Sequence, residues 1–273
     1  MITADGIALG AIAGESARHR SRREQVTPWP VALSVRRSGV LVAVAVLLLA
    51  ASSARAEGLL ERVLRILGMS AAPGQMKGPD SDAGPGRIWI ADLKDGSRRA
   101  LTSDGGYRWP IFEIGGTTVV ALRANKVVRI SLQGGKVEQL REARGVEKLV
   151  GFDAAKANEV LVVRRSESAP LAMLSLKTGK LTSLPYDRKS KDQNQLIAYA
   201  RGETRVYGNA RLFLQTEARA AMEGTREWQN VYIQEGQAPP RPVSRCQDVA
   251  CHQPSLSPNG AWVAYVQSDT PGG

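Results

Sequence analysis

The residues with the clearest chemical potential lie near the C-terminus, where Cys246, Cys251 and His252 fall within seven residues. Two cysteines separated by four residues can close a short disulfide in an oxidising compartment, and this is the interpretation we favour. The alternative is a metal site that uses the two thiolates and the imidazole, but three ligands without a second cluster form an incomplete zinc site. The pattern therefore predicts a Cys246–Cys251 disulfide, no metal and no other cofactor.

His252 is also the histidine on which a hydrolytic triad would depend. Asp248 lies close to it in sequence, but a loop aspartate that caps a turn explains Asp248 equally well. The sequence contains no Gly-x-Ser-x-Gly elbow, phosphate loop, dinucleotide fingerprint or His-Glu-x-x-His motif. We therefore expect His252 to be a surface or loop-packing residue, and we expect the protein not to be an enzyme.

Residues 36–56 have the three parts of a secretory signal, namely the Arg36–Arg37 pair, an apolar run at 40–51 and a small-x-small site at 54–56. The run is shorter than the ~20 residues that cross a bilayer, so we predict a cleaved signal and no transmembrane anchor after cleavage. Residues 1–35 form an N-terminal extension, which is either a long n-region or the result of a mis-started translation. The arginine pair lacks the flanking pattern of a twin-arginine signal. A periplasmic or secreted protein follows from these features.

The chain of 273 residues carries a formal net charge of +11, with basic residues scattered rather than grouped. Nucleic-acid-binding domains concentrate such residues in a stripe with aromatic residues or a known motif. Neither is present, so the charge indicates a soluble surface with a positive bias, and we expect no nucleic-acid partner.

The predicted mature chain begins with a short amphipathic helix, because apolar residues recur at helical spacing over 57–70. A linker rich in Gly, Pro, Ala and Asp follows at 71–86. From residue 87 to residue 273, short apolar runs alternate with turn residues, which is typical of an all-β domain. Within this domain, only 216–223 has a helical pattern.

A repeat in the β domain specifies its architecture. Leu93, Leu132 and Leu176 each end a short apolar run, each precede a glycine by three residues, and each precede another leucine by eight. This spacing is typical of a hairpin with a tight glycine turn. The copies are 39 and 44 residues apart, and a period near 40 indicates four-stranded propeller blades. A weaker fourth copy surrounds Gly236.

Further strands are predicted between these hairpins, at 119–123, 160–164, 212–215 and 263–267. A polar and charged stretch at 186–210 interrupts the third interval. We interpret this insertion as a surface loop, the kind of segment on which function is often located.

Residues 254–266 read PSLSPNGAWVAYV, which resembles the blade motif Pro-x-Trp-Ser-Pro-Asp-Gly of TolB-like, or WD40-like, propellers. Leu256 replaces the usual Trp, and Asn259 replaces the usual Asp. The Asp-Leu-x-x-Gly turn within 88–102 is similar to the other half of a blade in this family. The resemblance covers most of 87–267 and implies a small β-propeller of about four blades. Pairing 87–102 with 253–268 would close the ring, whereas a fragment of a larger propeller is the alternative.

The same resemblance suggests a function. It implies a non-catalytic module in the periplasm or cell envelope that binds a protein, ligand or envelope component. Propeller geometry suggests Trp109, Asp153, Arg201 and Gln253 as channel-side binding residues. The alternative is the propeller of a prolyl oligopeptidase-type peptidase whose catalytic domain is missing, because such propellers are also similar to this chain.

Overall fold

The computed structural model describes residues 62–64, 66–67, 84–166, 168–222 and 224–271. The predicted extension at 1–35 and the predicted signal at 36–56 lie outside the described residues, as does most of the helix and linker at 57–86. Residues 62–64 and 66 are helical, and the Leu67 amide donates to the Val63 carbonyl. We call residues 62–67, without residue 65, the helical segment. In the described part of the chain, no helix is both long and apolar enough to span a membrane.

Within the residues that the structure describes, sixteen antiparallel strands form four blades of four strands each, which confirms the predicted small β-propeller. Blade 1 combines the two ends of the domain, and its strands from the inside outward are β15 (Val249–Leu256), β16 (Trp262–Pro271), β1 (Gly86–Asp92) and β2 (Arg98–Ala100). Blade 2 contains β3 (Tyr107–Phe112), β4 (Thr118–Arg123), β5 (Lys126–Ser131) and β6 (Val137–Glu142). Blade 3 contains β7 (Val146–Asp153), β8 (Lys156–Arg164), β9 (Leu171–Ser175) and β10 (Leu181–Ser183). Blade 4 contains β11 (Arg205–Tyr207), β12 (Ala210–Ala221), β13 (Gly224–Glu235) and β14 (Arg241–Pro242).

The predicted pairing of the two ends is confirmed within blade 1. Strand β1 pairs with β16 over seven residues, from Gly86 opposite Ser268 to Asp92 opposite Trp262. One further pair, Gly86 with Tyr107, joins blades 1 and 2 into a continuous hydrogen-bonded sheet. The first and last strands of the domain therefore satisfy each other's backbone groups.

The turns that the repeat predicted are also present. The Gly96 amide donates to the Asp92 carbonyl, and Gly135 and Gly179 make the equivalent bonds in blades 2 and 3. Gly96 has a φ of 72°, in the left-handed region that glycine adopts without steric cost. In the turn at 257–260, the Asn259 side chain accepts bonds from the Ser257 hydroxyl and the Ala261 amide. Asn259 thus replaces the family's Asp without loss of the turn.

Alternation along the second strands distributes the core between neighbouring blades. On β4, Val119 and Ala121 face the cluster shared by blades 1 and 2, while Val120 and Leu122 face the cluster shared by blades 2 and 3. This follows from the two-residue period of a strand, which sends successive side chains to opposite faces of the sheet. A third cluster, containing Leu212 of β12, joins blades 4 and 1.

The space beside blade 3 on the blade 4 side is filled by helices instead. Helix α1 (Lys191–Arg201) and the helical segment pack against Leu161 and Val163 of β8. The Tyr199 hydroxyl accepts the Val206 amide, so α1 also contacts the innermost strand of blade 4.

Two predictions about this region are wrong. The insertion at 186–210 is not a surface loop, because it contains α1 and β11. Its apolar residues are few, but Leu196, Ile197, Tyr199 and Ala200 lie on one face of the helix and are buried. Residues 216–221 belong to β12 rather than to a helix, because pairing with β13 outweighs their helix-favouring composition.

We predict that Leu196→Ala lowers the free energy of unfolding by about 3 kcal/mol, because it leaves a cavity in the core that α1 shares with blade 3. Urea unfolding would measure the change. The matched control is Gln195→Ala on the exposed face of the same helix, which should leave stability within about 0.5 kcal/mol. Equal, small effects of both substitutions would mean that α1 is dispensable to the core.

Candidate functional site

Four polar or aromatic residues meet at the axis, one from each blade. Trp109 lies on β3, Lys148 on β7 and Gln253 on β15, while Glu203 lies two residues before β11. Lys148, Glu203 and Gln253 are at most 3% exposed, although side chains of these types normally remain in water. Their burial requires compensating contacts.

Several such contacts surround Lys148. Its Nζ atom donates to the carbonyls of Arg201 and Gly202, at 2.8 and 2.5 Å. The same atom lies 3.9 Å from the ring centroid of Trp109, in cation–π geometry. Arg201 and Gly202 end helix α1, where the helix dipole and free carbonyls favour a positive charge. The ammonium group is therefore stabilised by backbone dipoles and an aromatic face.

Two more hydrogen bonds complete the circle. The Glu203 carboxylate accepts the backbone amide of Gln253. The side-chain oxygen of Gln253 in turn accepts the backbone amide of Trp109, at 2.7 Å. Contacts thus run from blade 4 to blade 1, then to blade 2, to blade 3 and through the end of α1 back to Glu203. We call Trp109, Lys148, Glu203 and Gln253 the axial ring.

Backbone distortion places two members of the axial ring. Trp109 and Gln253 have φ values of 52° and 55°, and each lies where the pairing register of its strand shifts. Both residues precede a proline, Pro110 or Pro254. Proline lacks an amide hydrogen and restricts the residue before it, so a regular ladder is interrupted at the same point in both blades. The distortion turns the Trp109 amide toward Gln253.

His252 lies beside this ring and is fully buried, so the expectation of a surface or loop position is wrong. His252 itself lies on β15, beside the register shift between His252 and Ser255. The Nδ1 atom of His252 lies 4.0 Å from a carboxylate oxygen of Glu203. Burial and the nearby positive charge of Arg108 lower the pKa of His252 to about 4. The imidazole is therefore neutral at physiological pH.

Three of the four predicted channel-side residues come together, and one does not. Trp109 and Gln253 belong to the axial ring, and Arg201 contributes its carbonyl. Asp153 lies apart, where it forms an ion pair with Arg62 of the helical segment and accepts the Ala155 amide at 2.9 Å. A ligand-binding role for these four residues stays a prediction.

Sequence reasoning missed Lys148 and Glu203, and it did not predict that His252 is buried beside the axial ring. Only a weak signal was available for Lys148: Val146, Leu149 and Val150 of its strand are apolar and buried, but the adjacent Glu147 is charged and exposed. Nothing local distinguished Glu203, because the surrounding insertion is polar throughout. His252 lay next to a predicted disulfide loop, and that proximity concealed its position on a strand.

Cys246 and Cys251 form a disulfide, with their Cα atoms 5.9 Å apart. Asn230, which is buried, accepts the Cys246 amide and donates to the Cys246 carbonyl.

The nearby Asp248 carboxylate lies 3.6 Å from Arg226, whereas His252 faces Glu203. Across the described residues, no group of three or more His, Cys, Asp or Glu side chains is placed to hold a metal. A disulfide is consistent with an exported protein.

Comparisons with known proteins are limited to fold. No family model matches the chain, and no curated protein matches it. Among solved structures, a protein from Agrobacterium tumefaciens described as a TolB is 12% identical with a TM-score of 0.31, covering 68% of this chain and 62% of its own. TolB from Acinetobacter baumannii is 12% identical with a TM-score of 0.32, covering 68% of this chain and 49% of its own.

An acylaminoacyl peptidase from Pyrococcus horikoshii is 10% identical with a TM-score of 0.29, covering 60% of this chain and 29% of its own. This chain therefore matches less than two thirds of the length of each of these three proteins. Similarity this low does not transfer a site or an activity to this chain.

We predict that Lys148→Met lowers the free energy of unfolding by about 3 kcal/mol, because it leaves two buried carbonyls and the Trp109 face without the ammonium group. Urea unfolding would measure this loss. Lys94→Met, at an exposed position, is the control and should change stability by less than about 0.5 kcal/mol. A Lys148→Met protein as stable as the wild type would show that the axial ring does not support the fold.

We predict that His252 makes stability fall as the pH drops from about 6.5 toward 4. The folded-state pKa of about 4 lies below the ordinary value of 6.5, so the unfolded chain takes up a proton first. Between pH 7 and pH 5 this difference corresponds to about 2 kcal/mol. Urea unfolding of the wild type and of His252→Gln at both pH values would isolate the effect. If both proteins lost the same free energy of unfolding between pH 7 and pH 5, His252 would not be the source of the pH dependence.

Proposed function

We propose that this protein is an exported, non-catalytic β-propeller that binds a protein or envelope component in the periplasm. Two features support export. Residues 36–56 have the pattern of a secretory signal, and Cys246 and Cys251 form a disulfide, which is typical of oxidising compartments. The binding role is supported by the structure of blade 4.

The observation that carries the binding role is an arm that extends beyond blade 4. The outer strand β14 pairs with β13 only at Tyr232 and Ile233, and β11 pairs with β12 only at 210–212. Strands β12 and β13 continue to pair with each other as far as Ala221 and Gly224. Residues 215–221 and 224–230 therefore form a two-stranded arm, which at about 3.3 Å per residue is roughly 20 Å long.

The arm is suited to contact another molecule. Met222, at its tip, is fully exposed, and most of the side chains near the tip are exposed as well. A two-stranded ribbon also has backbone donors and acceptors along both edges, which a partner strand can pair with. A solvent-exposed apolar tip on an extended ribbon contributes little to the stability of the domain. Binding of another molecule therefore explains the presence of this tip better than folding does.

The axial ring supports binding by holding the blades rigidly in place, not by contacting a ligand itself. Lys148 is held by two carbonyls and an aromatic ring, and Glu203 accepts the Gln253 amide. Each buried charge is thus used to join blades. A ring braced in this way holds the base of the arm in a constant position, which reduces the ordering that a partner must supply on binding.

We predict that the full chain, expressed in a Gram-negative host, is cleaved after Ala56 and recovered from the periplasm with Cys246 and Cys251 oxidised. N-terminal sequencing and thiol labelling of the fractions would measure both properties. Leu47→Arg, which interrupts the apolar run, should leave the chain uncleaved in the cytoplasm with free thiols. An uncleaved, cytoplasmic wild-type chain would refute export.

Binding can be tested in the same cells with a photo-crosslinking residue. Placed at Met222, it should give a discrete adduct with one envelope component. Placed at Val137, an exposed apolar residue on the outer strand of blade 2, it serves as the matched control and should give no such adduct. Equal adducts at both positions, or none at either, would contradict a binding role for the arm.

A further inference from the structure

One face of the arm holds two arginines directly opposite each other. Arg219 of β12 pairs in register with Arg226 of β13, so their side chains lie on the same face of the ribbon. Side chains opposite each other in an antiparallel pair have Cβ atoms about 5 Å apart, and like charges in this position repel. An anion close to both guanidinium groups would relieve this repulsion.

The protein supplies only part of that negative charge. Asp248 approaches Arg226 to 3.6 Å, with both side chains more than half exposed. Among the residues that the structure describes, Arg219 forms no ion pair. Glu217, on the same face, accepts hydrogen bonds from Trp228, Asn230 and Tyr232, which direct its carboxylate toward the base of the arm.

The two arginines line a cavity of about 260 Å³ at the side of the arm, together with Ala220, Trp228, Gln247 and Asp248. The Trp228 indole is oriented by its Nε1 bond to Glu217, at 3.3 Å. A guanidinium pair, an aromatic ring and an amide are the groups that proteins use to hold an anionic group and the part of the ligand attached to it.

The opposite wall of this cavity is fixed by covalent and buried contacts. Gln247 and Asp248 lie inside the ring that the Cys246–Cys251 disulfide closes. Asn230, at 1% exposure, holds the start of this loop through Cys246 and Ser244. Asp248 has a φ of 61°, a strained backbone for a non-glycine residue that such a braced loop can maintain. The loop is therefore a preorganised wall rather than a mobile surface.

We propose that this cavity binds an anionic group, a carboxylate or a phosphate, between the guanidinium groups of Arg219 and Arg226. Trp228 contacts the part of the ligand next to the anion, and Asp248 competes with the ligand for Arg226. This inference rests on the proposed binding role for its biological meaning, since the anion would belong to the partner of the arm.

The test is isothermal titration of the purified, oxidised, exported chain with two probes in turn, inorganic phosphate and succinate. One of them should bind saturably. Arg219→Gln and Arg226→Gln should each weaken that binding by about tenfold, which is the usual effect of removing one charge-assisted hydrogen-bonding partner. Asp248→Asn should tighten it severalfold, because it removes the competing carboxylate. Urea midpoints would verify that all three variants fold.

The matched control is Arg144→Gln, because Arg144 is an exposed arginine that also pairs with a carboxylate, that of Glu142 at 3.2 Å. Its affinity for the probe should equal that of the wild type. Preference for phosphate would indicate a phosphate-bearing ligand, and preference for succinate a carboxylate-bearing one. No saturable binding of either probe at 20 mM would overturn the proposal, as would unchanged affinity in Arg219→Gln and Arg226→Gln. A failure of Asp248→Asn to tighten binding would also count against it.

The crosslinking experiment separates this inference from the proposed function. If Met222 still crosslinks to its partner while neither probe binds, the anion site is wrong and the binding role stands. If a probe binds with the expected variant effects and Met222 forms no adduct, the binding role fails and the anion site stands.

Discussion

The buried ammonium group of Lys148 is the contact on which the arrangement of blades depends most directly. A cation at the centre of a small domain is unfavourable unless dipoles surround it closely, and here the carbonyls of Arg201 and Gly202 and the face of Trp109 do so. Those partners belong to a helix end and to a neighbouring blade. The requirement to solvate one charge therefore holds three segments of the chain together. Glu203 and Gln253 extend the same network to the remaining blades, so that every innermost strand has a polar link to the next.

This bracing matters because the four blades are not packed equivalently. Three interfaces are filled by alternating strand residues, as in any stack of twisted sheets. Beside blade 3, the apolar faces of α1 and of the helical segment replace a direct sheet-to-sheet contact. Arg62 secures the helical segment through ion pairs with Asp153 and Glu159 on neighbouring strands of blade 3. The helices thus fill the space between blades 3 and 4. The carbonyls that accept hydrogen bonds from Lys148 lie at the end of α1. Core packing and axial charge solvation are coupled through one helix.

In the proposed function, the braced ring provides stability and the projecting arm provides the binding surface. Buried contacts concentrate in the blades, whereas the arm keeps exposed side chains and a pair of opposed arginines, of which Arg226 lies near Asp248. Natural sheets avoid placing like charges directly opposite each other unless another group compensates them. Arg219 and Arg226 are placed in this way beside a loop that a disulfide and a buried asparagine hold rigid. The repulsion between the two arginines is tolerated because many other contacts hold the surrounding structure in place. Unfavourable local arrangements of this kind are typical of functional sites.

The hairpins, the glycine turns, the Ser257–Gly260 turn and the pairing of the two ends were predictable from the sequence. Each depends on residues close together in the chain or on a repeat that local residues define. The glycine at position 96, for example, is explained by the geometry of its own hairpin turn alone. The axial ring was not predictable, because Lys148 lies more than fifty residues from its carbonyl partners and Trp109 lies 144 residues from Gln253. The helix at 191–201 was missed because four apolar residues on one face are too few to stand out in a polar segment. Local chemistry determined the blades. Only the tertiary structure decided which charges meet at the axis and that Asp248 lies beside Arg226 of the arm, because these contacts join segments that are distant in the chain.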